Sequence, residues 1–449
     1  MSKICVYPWS HVNINPDGDV WPCCHQRGEK IRVYGNFKKD SIDTIFNSES
    51  AKELRRSMLQ GVLPLDTCSK CINYEKIGIK SARHWANKQG WAREVLDSIP
   101  NITRDDGSVT DYKIKFWDLR WSNLCNMKCV MCGPDWSSLW TQDIKNKLNN
   151  FDEENIEKDQ MLRDYKNIIK NDTVKIRHLP NKQFIDNHIN DVQHIYFAGG
   201  EPLIMDEHWY ILNKLSELKR FDVKIKYNTN MLKLDYKGQN AIDHWKHWDY
   251  PKLSVESSID ETGKRAEWIR SGTVWETVRK NIEQVRDAGI QTFANTSIGC
   301  YNVIRLSELI DELYELYDSP SNIKAHVNLN PVHNYWCSVQ VLPDALKRDI
   351  LEKTKRWAMK TKSKTNKIEA IYAELEKPHN PDKLKMFWKR SSWLDLNKHS
   401  TLFDHIPEFA ELNDQTGNQY EKFRDEWIEK SISERISSTN SNLCSSISN

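Results

Sequence analysis

Three cysteines, Cys125, Cys129 and Cys132, lie close together in the stretch NLCNMKCVMCG. Their C-x3-C-x2-C spacing supplies three thiolates, whereas common zinc sites and electron-transfer clusters use four protein ligands. Three thiolates can hold three irons of a [4Fe–4S] cluster and leave the fourth iron open to a small molecule. A zinc site, or cysteines packed in a core, is the alternative that the spacing alone leaves open.

A second set of four cysteines comes from the first part of the chain: Cys5, Cys23, Cys68 and Cys71. Four thiols can fill a tetrahedral zinc site or bind one [4Fe–4S] cluster, and their spacing does not separate these two. The stretch HVNINPDGDVWPCC predicts a hairpin with an Asp-Gly turn. A helical pattern near 41–60 and the loop pair CSKC follow. Cys24 is an alternative ligand, although the hairpin spacing favours Cys23.

The elements that must position the three-cysteine loop begin near residue 113. Six strand-like segments alternate there with helical patterns, over 112–121, 192–200, 223–230, 252–260, 291–299 and 323–331. This alternation predicts a parallel sheet built from βαβ units, with ligand sites at the carboxyl ends of the strands. Thr273 and Glu276 predict a capping box, and Gly289 predicts the end of that helix.

The expected fold class is α/β, a partial (β/α)6 TIM-like barrel with a small α+β domain before it and a helical extension after it. The expected boundaries are 1–75 for the small domain, 76–112 for a linker, 113–340 for the barrel, 341–430 for the helical region and 431–449 for a disordered tail. The charged segment 145–192 is predicted to be a helical insertion.

The segment FAGGEP ends the second predicted strand of the barrel. Gly199 and Gly200 allow close backbone approach, Pro202 stiffens the turn, and Glu201 can accept a hydrogen bond from an ammonium group or anchor the turn. A Gly-Gly-Glu-Pro turn is not informative alone. Its position one strand after a C-x3-C-x2-C loop makes the combination of the two motifs specific.

Together these two motifs resemble the radical S-adenosylmethionine (SAM) superfamily, over about residues 113–335. The resemblance implies that the three cysteines hold a [4Fe–4S] cluster, that SAM chelates its fourth iron, and that the Gly-Gly-Glu-Pro turn receives the SAM ammonium. It implies reductive cleavage of SAM to a 5′-deoxyadenosyl radical, which abstracts a hydrogen atom from the substrate. Met131 stands where relatives often carry an aromatic residue beside the adenine.

The same resemblance implies further SAM contacts from Asn230, Ser258 and Arg270. A strand-end turn is the alternative for Ser258, and an exposed arginine is the alternative for Arg270.

Period-two alternation places polar residues on one face of two predicted strands. Glu256 and Ser258 share a face of the fourth strand, and His326 shares a face of the sixth with Asn328 and Asn330. These faces predict a polar substrate cavity in which Glu256 and His326 are the candidate catalytic residues. A satisfied buried network is the alternative.

Residues 1–75 resemble the auxiliary-cluster modules called SPASM and, in the shorter one-cluster form, twitch. The stretches CVYPWSHVNINPDGDVWPCC and LRRSMLQGVLPLDTCSKC carry this resemblance. The four cysteines fit the twitch form, which implies one auxiliary [4Fe–4S] cluster without an open iron. Here the module precedes the barrel, whereas in most relatives it follows. Such a cluster would relay an electron or support the fold.

The composition limits the remaining classes. The 65 basic and 63 acidic residues give a net charge of +2, which offers no electrostatic reason to expect nucleic acid. No apolar run predicts a membrane span or signal peptide, so we expect a cytoplasmic protein.

The expected function is a net two-electron oxidation of a polar small molecule or peptide, with a flavodoxin or ferredoxin as electron donor. The alternatives are a peptide maturase that forms a thioether or carbon–carbon bond, and a zinc-stabilised binding protein without catalysis.

Overall fold

The computed structural model describes residues 3–26, 31–76, 78–171, 182–320, 326–333, 335–361, 367–396 and 400–431. The predicted tail, with Cys444, lies outside the described residues from position 432 onward, as do positions 323–325 of the sixth predicted strand. No described helix combines the length and apolar composition that a membrane span requires.

The described elements are thirteen strands, twenty helices and three short 3-10 turns, besides a helical stretch over 419–431. The strands are β1 His11–Ile14, β2 Asp19–Trp21, β3 Gly35–Asn36, β4 Phe116–Leu119, β5 Lys128–Cys129, β6 His194–Phe197, β7 Lys224–Thr229, β8 Asp235–Tyr236, β9 Gln239–Asn240, β10 Leu253–Ser257, β11 Arg270–Ser271, β12 Thr292–Ile298 and β13 Val327–Pro331. The helices are α1 Tyr7–Ser10, α2 Ile42–Phe46, α3 Glu49–Leu59, α4 Leu65–Lys76, α5 Ala82–Ala86, α6 Ala92–Ile102, α7 Ser138–Leu148, α8 Glu153–Lys158, α9 Gln160–Asn171, α10 Lys182–His188, α11 Asp206–Glu217, α12 Ala241–Trp245, α13 Gly263–Ile269, α14 Trp275–Asp287, α15 Leu306–Tyr317, α16 Asp344–Thr361, α17 Ile368–Leu375, α18 Pro381–Asp395, α19 Leu402–His405 and α20 Glu408–Gln415. The 3-10 turns are Pro202–Ile204, Val303–Arg305 and Val339–Val341.

The central feature is a mixed, mostly parallel sheet of nine strands. The six predicted barrel strands are all present, as β4, β6, β7, β10, β12 and β13, each shorter than its predicted segment. The pairs β4–β6, β6–β7 and β12–β13 are parallel. The α/β class with a partial TIM-like barrel is therefore confirmed.

The chain divides into two compact units, and the first comprises 1–124, 176–229 and 233–256. Its strands follow the order β10, β7, β6, β4, β1, β2, β3. One face of this sheet is apolar and buried, with side chains such as Val12, Trp117, Ile195 and Ile225. The alternate residues on the other face are largely polar, because the side chains of a strand alternate between its two sides.

The predicted N-terminal hairpin is confirmed. Strands β1 and β2 pair in antiparallel fashion around a turn in which Gly18 has φ +91°. Strand β1 also pairs in parallel with β4, so the small domain extends the barrel sheet. Residues 76–112, expected as a linker, contain α5 and α6.

The sequence predicted a loop at the CSKC pair. The pair is instead part of helix α4. The helix follows Pro64, whose carbonyl accepts the Cys68 N–H at 2.7 Å. The spacing of three residues places Cys68 and Cys71 on one helix face.

Helix α14 lies between β10 and β12, where the sequence predicts a helix that ends at Gly289. Val278, Ile282 and Val285 of α14 are buried, and Gly289, with φ +76°, follows the end of this helix. The prediction of a capping box at Thr273 and Glu276 was wrong, because the N-cap residue is Val274 and no side chain caps the helix. The Thr273 hydroxyl instead contacts Met127 Sδ at 3.6 Å.

The second unit comprises 125–175, 230–232 and 257–449. It contains the parallel pair β12–β13, the short antiparallel pair β5–β11, helices α7 to α9 and the helical C-terminal region. The insertion and the C-terminal region are thus helical where they are described, as predicted.

Candidate active site

The Gly-Gly-Glu-Pro turn follows the carboxyl end of β6 and is anchored by its own glutamate. Glu201 is buried, and its Oε1 accepts the Leu203 N–H at 3.1 Å and the Thr229 hydroxyl at 2.8 Å. The first contact caps the 3-10 turn that begins at Pro202, and the second ties the turn to the end of β7. Glu201 therefore anchors the turn, which is one of the two uses expected from the sequence.

The two glycines of this turn lie directly against the segment that precedes the three-cysteine loop. A Cβ on Gly200 would stand 2.1 Å from the Leu124 carbonyl oxygen, and one on Gly199 would stand 3.0 Å from Arg120 Cα. The Glu201 N–H donates to that same Leu124 oxygen at 2.7 Å. The close approach at Gly200 thus fixes the backbone immediately before Cys125.

Within the second unit, the cysteine loop pairs with a two-residue strap, β11. Strand β11 pairs with β5, with Arg270 opposite Cys129, and the Val130 N–H donates to the Ile269 carbonyl at 2.8 Å. Gly272 has φ +106°, and a Cβ there would stand 2.8 Å from the Asn126 oxygen. The strap therefore requires a glycine two residues after Arg270.

Arg270 lies between a carboxylate and a cluster cysteine. Its Nε is 2.7 Å from Asp260 Oδ2, and its Nη1 is 3.5 Å from Cys129 Sγ. Asp260 is buried, and its Oδ1 accepts the Ser297 N–H at 2.7 Å. The guanidinium is thus a positive charge fixed beside a predicted iron ligand.

The other predicted SAM contacts occupy different places around the loop. Asn230 is buried and donates from Nδ2 to Asn126 Oδ1 at 2.7 Å, so its amide supports the cysteine loop. Met131 lies half-buried in the turn between Cys129 and Cys132. Ser258 is half-buried and directly follows β10.

In the first unit, a row of polar side chains lines one face of the sheet. We call this row the polar face; its residues are Asn13, Asp118, Arg120, Tyr196, Lys226, Asn228 and Glu256. Parallel register places Asn13 beside Asp118, Asp118 beside Tyr196, and Tyr196 beside Lys226.

Four charged residues of the polar face form two ion pairs. Lys226 Nζ is 2.5 Å from Glu256 Oε1, and Arg120 Nε donates to Asp118 Oδ1 at 2.8 Å. The Tyr196 ring lies between the two cations, each 5.5 Å from its centroid. The Arg120 guanidinium holds the pKa of the buried Asp118 carboxyl below its usual value against the opposing effect of burial, which is the larger single influence.

Asn228 completes this network when its amide is oriented so that donors face acceptors. It then donates to Glu256 Oε2 at 2.9 Å and accepts from the Tyr196 hydroxyl at 2.8 Å. Glu256, predicted from the sequence, therefore stands near the carboxyl end of β10 among fixed polar partners.

His326 and the two asparagines after it are arranged differently. His326 immediately precedes β13 and stacks on Phe293 with ring centroids 3.7 Å apart, at the amino end of the strand. Asn328 and Asn330 both donate to Asn295 Oδ1, at 2.9 and 2.7 Å. Both asparagines are half-buried and share this one acceptor.

The second predicted set of cysteines lines one cavity in the first unit. Cys5, Cys23, Cys68 and Cys71 all face it, together with Tyr7 and Arg83, whereas Cys24 is not among its lining residues. The set comes from the segment before α1, the end of the hairpin and one face of α4. Four thiols converging on one cavity fit the donor set of an auxiliary [4Fe–4S] cluster.

Burial governs the ionisation of these thiols. It raises the pKa of Cys5 and of Cys68 to about 12, with neighbouring thiols adding to the effect. Burial and the nearby Cys129 likewise raise the pKa of Cys132 to about 12. Metal binding must therefore displace protons from these groups.

An aromatic stack connects the auxiliary cavity with the polar face. Tyr7, which lines the cavity, stacks on His11 at 4.5 Å; His11 contacts Phe116 at 4.6 Å, and Phe116 stacks on His194 at 4.3 Å. Each of the three strand residues in this stack lies two positions before a residue of the polar face on the same strand, so both sets share one side of the sheet. The pairs are His11 with Asn13, Phe116 with Asp118, and His194 with Tyr196. The stack thus borders the amino end of the polar face.

The described side chains contain no group of three His, Cys, Asp or Glu arranged around a single metal ion. A [4Fe–4S] cluster makes a different demand, since each thiolate binds its own iron.

Two family models match parts of the chain. Residues 119–313 match the family model described as the radical SAM superfamily, and residues 5–72 match SPASM, an iron-sulfur cluster-binding domain. The chain therefore contains a radical SAM domain, with a SPASM module ahead of it. These families imply a SAM-binding [4Fe–4S] cluster, auxiliary iron–sulfur binding and SAM itself, rather than the zinc alternative.

Solved structures resemble the chain only distantly. Streptococcus suis SuiB bound to precursor peptide SuiA is similar at 12% identity and TM-score 0.35, over 67% of this chain and 61% of that one. SuiB bound to SAM is similar at 14% identity and TM-score 0.34, over 71% and 61%. Native anSMEcpe with bound AdoMet and Kp18Cys peptide is similar at 16% identity and TM-score 0.32, over 52% of this chain and 56% of that one. The chain thus spans about three fifths of the SuiB chain, and no curated protein matches it.

Sequence reasoning missed several residues around these sites. Asp260 ends the segment SSID, and Gly272 ends IRSG, so both stood beside residues already selected. Asp118, Arg120, Tyr196 and Lys226 also follow the period-two alternation that identified Glu256. Applying the same rule to every strand would have found the polar face.

Proposed function

We propose that this chain carries out a net two-electron oxidation of a polar substrate. The barrel cluster, when bound, supplies the electron that splits SAM into methionine and a 5′-deoxyadenosyl radical. The substrate would give a hydrogen atom to that radical and then lose one proton to a base and one electron, for which a cluster held by Cys5, Cys23, Cys68 and Cys71 would be the acceptor. The substrate thereby loses two electrons and two protons in all.

The order of features along the first unit's sheet carries this proposal. The auxiliary cysteines lie near the amino end of β1, where His11 Nδ1 is 3.2 Å from the Pro22 carbonyl beside Cys23. The Gly-Gly-Glu-Pro turn follows the carboxyl end of β6. The polar face runs between them. A substrate held on this face would have SAM at one end and an electron acceptor at the other.

The polar face supports a substrate that carries hydrogen-bonding or charged groups. Its two ion pairs, Lys226–Glu256 and Arg120–Asp118, present both signs of charge in fixed positions. Fixed, partly buried dipoles and charges orient a polar group without reorganising during the reaction. In this proposal Glu256 accepts the substrate proton, and Lys226 neutralises the carboxylate before the transfer. His326, the other candidate catalytic residue, stacks on Phe293 at the amino end of β13.

The test uses anaerobic turnover with deuterated candidate substrates. Deuterium found in 5′-deoxyadenosine identifies the substrate, because only hydrogen abstraction transfers the label. Cys129→Ala is expected to abolish 5′-deoxyadenosine formation. Cys71→Ala is expected to keep it, and to abstract hydrogen without completing the oxidation.

Folding must be controlled in the Cys71→Ala protein, since a cluster can stabilise a small domain as structural zinc does. Circular dichroism and the spectrum of the barrel cluster provide this control. If the folded variant makes oxidised product at the wild-type rate, the auxiliary cluster is structural and the relay is wrong. A peptide product with a new thioether or carbon–carbon bond would assign the peptide-maturase alternative instead.

Iron analysis gives an independent test of the ligand assignments. Two clusters of the cubane type predict about eight irons in the reconstituted protein. Changing Cys125, Cys129 and Cys132 together to alanine is expected to remove about half of them. Retention of all the iron would refute the assignment of the barrel site.

A further inference from the structure

We propose that a basic cleft beside the auxiliary cavity docks a small acidic one-electron carrier protein, of the flavodoxin or ferredoxin kind. The carrier would take the electron that the auxiliary cluster receives from the substrate radical. This inference rests on the proposed function, and it assigns the surface through which that function exchanges electrons with solution.

The cleft has a volume of about 690 Å³ and an uneven charge. Its charged lining residues are Lys3, Lys76, Lys80, Lys88, Arg83 and Glu75, with His84 beside them. Glu75 is already bound to Arg83, with Nη2 and Oε2 2.7 Å apart. That pair cancels, which leaves four lysine charges facing the cleft.

None of those lysines is neutralised among the described residues. Lys3, Lys76, Lys80 and Lys88 are exposed, and no ion pair within the described part of the chain involves them. An ordinary surface intersperses both signs of charge. Four unneutralised lysines around one concavity create a positive potential that attracts an acidic partner over about one Debye length.

The cleft and the auxiliary cavity share a lining residue. Arg83 lines both of them, and Ile72, the residue after the predicted ligand Cys71, lines the cleft. Arg83 is fixed there by Glu75 and by the Ile4 carbonyl, at 3.3 Å from Nη1. A carrier seated in the cleft would therefore contact Arg83, which also lines the auxiliary cavity, and Ile72, which follows the predicted ligand Cys71.

Exposed apolar side chains accompany the charge. Ile79 lines the cleft and is 50% exposed, and Trp85, the neighbour of His84, is 57% exposed. A basic rim around aromatic and aliphatic contacts is the composition of a protein interface rather than of a small-anion site. The electron balance is complete, because the substrate radical loses one electron through the auxiliary cluster and the carrier is reduced by one.

The test measures binding of an acidic plant-type [2Fe–2S] ferredoxin to the reconstituted holoenzyme. In the cleft variant, Lys76, Lys80 and Lys88 are all changed to glutamate. We expect its affinity at 50 mM salt to fall at least tenfold below wild type, because electrostatic steering and complementarity are reversed. The wild-type affinity is expected to fall steeply between 50 and 200 mM salt, and the variant is expected to lose this dependence.

A matched control variant carries the same change of net charge elsewhere in the first unit. Lys38, Lys39 and Lys233 are exposed and do not line the cleft, so changing all three to glutamate is expected to alter affinity less than twofold. Circular dichroism and iron content must match wild type in both variants. An equal loss in both would show that net charge alone acts, and would overturn the proposal.

Two further outcomes decide the identity of the occupant. A polyglutamate peptide that binds as tightly as ferredoxin would assign the cleft to acidic peptides and refute a redox carrier. Electron exchange between reduced holoenzyme and ferredoxin is expected to slow in the cleft variant only, and an unchanged rate would also refute it. These binding measurements do not require substrate. Ferredoxin binding can therefore be refuted while the proposed oxidation stands, and the oxidation can be refuted while ferredoxin binding stands.

Discussion

Replacing Gly200 by alanine adds one methyl group at the closest backbone contact near the cysteine loop. The new Cβ would lie 2.1 Å from the Leu124 oxygen and 2.8 Å from the Leu124 carbonyl carbon. Real Cβ atoms essentially never approach such atoms within 3.0 Å, so the two backbones must separate by about 0.9 Å. Neither neighbour is a flexible side chain that could move aside.

The cost of this separation follows from what it breaks. The Glu201 N–H loses its 2.7 Å hydrogen bond to Leu124, and a buried unpaired group costs about 1–3 kcal/mol. Overpacking costs a similar amount, about 1–3 kcal/mol. Because Leu124 precedes Cys125, the shift also displaces the cysteine loop. A misplacement of about 1 Å can reduce a rate by roughly 100-fold, or about 2.7 kcal/mol, and we expect this loss for SAM cleavage.

The assay is formation of 5′-deoxyadenosine under strong reductant, together with the electron paramagnetic resonance spectrum of the reduced barrel cluster. The control is Gly90→Ala, since a Cβ at Gly90 has open space around it. The control is expected to behave as wild type, and Gly200→Ala is expected to show both the slow rate and an altered spectrum. A Gly200→Ala protein with a wild-type spectrum and a rate within threefold of wild type would refute the argument.

Three other variants test neighbouring interactions. Arg270→Gln is expected to make the barrel cluster harder to reduce by tens of millivolts, since it removes a cation 3.5 Å from Cys129 Sγ, and adding Asp260→Asn should reverse the shift in a redox titration. Burial raises the pKa of Glu261 to about 7, so the folded protein retains a proton that the unfolded chain loses near 4.5, and stability falls as the pH rises through this window. The free energy of unfolding of Glu261→Gln, relative to that of wild type, should therefore rise by about 1 kcal/mol from pH 6 to pH 8.5 in anaerobic denaturation. A difference that stays constant with pH would contradict this. Lys226→Met should raise the ratio of 5′-deoxyadenosine to product, because it removes the cation that neutralises the buried Glu256 carboxylate. Lys226→Arg keeps a cation there and should preserve the ratio.

The barrel strands and the cofactor motifs could be predicted from the sequence because their signals are local. Period-two alternation and β-branched residues mark the strands, and the cysteine and Gly-Gly-Glu-Pro motifs are each a few residues long. The CSKC pair failed because its residues suit a loop and a helix equally well, and Pro64 decides the matter by starting α4. The Thr273 cap failed because Met127, distant in sequence, takes its hydroxyl.

The polar face shows the limit of such reasoning. Glu256 could be selected from its own strand, but its partner Lys226 stands on β7, and only strand register brings the two together. The same holds for Arg270, whose neighbours Asp260 and Cys129 come from separate segments. Residue types and spacing identified the candidates, and tertiary pairing determined which of them interact.

The position of the SPASM module before the barrel raises the question of how it reaches the same chemistry. Strand β1 pairs in parallel with β4 over four residue pairs, from His11 with Phe116 to Ile14 with Leu119. Main-chain hydrogen bonds recognise the edge of a sheet and not the direction from which the chain arrives, so a module at either end of the sequence could take this edge. The pairing fixes the register of the hairpin, and through it the position of Cys23 relative to Asp118 and Tyr196. The separation between the auxiliary cysteines and the polar face is therefore set by sheet geometry rather than by a flexible linker, which an electron relay requires and a purely supporting module does not.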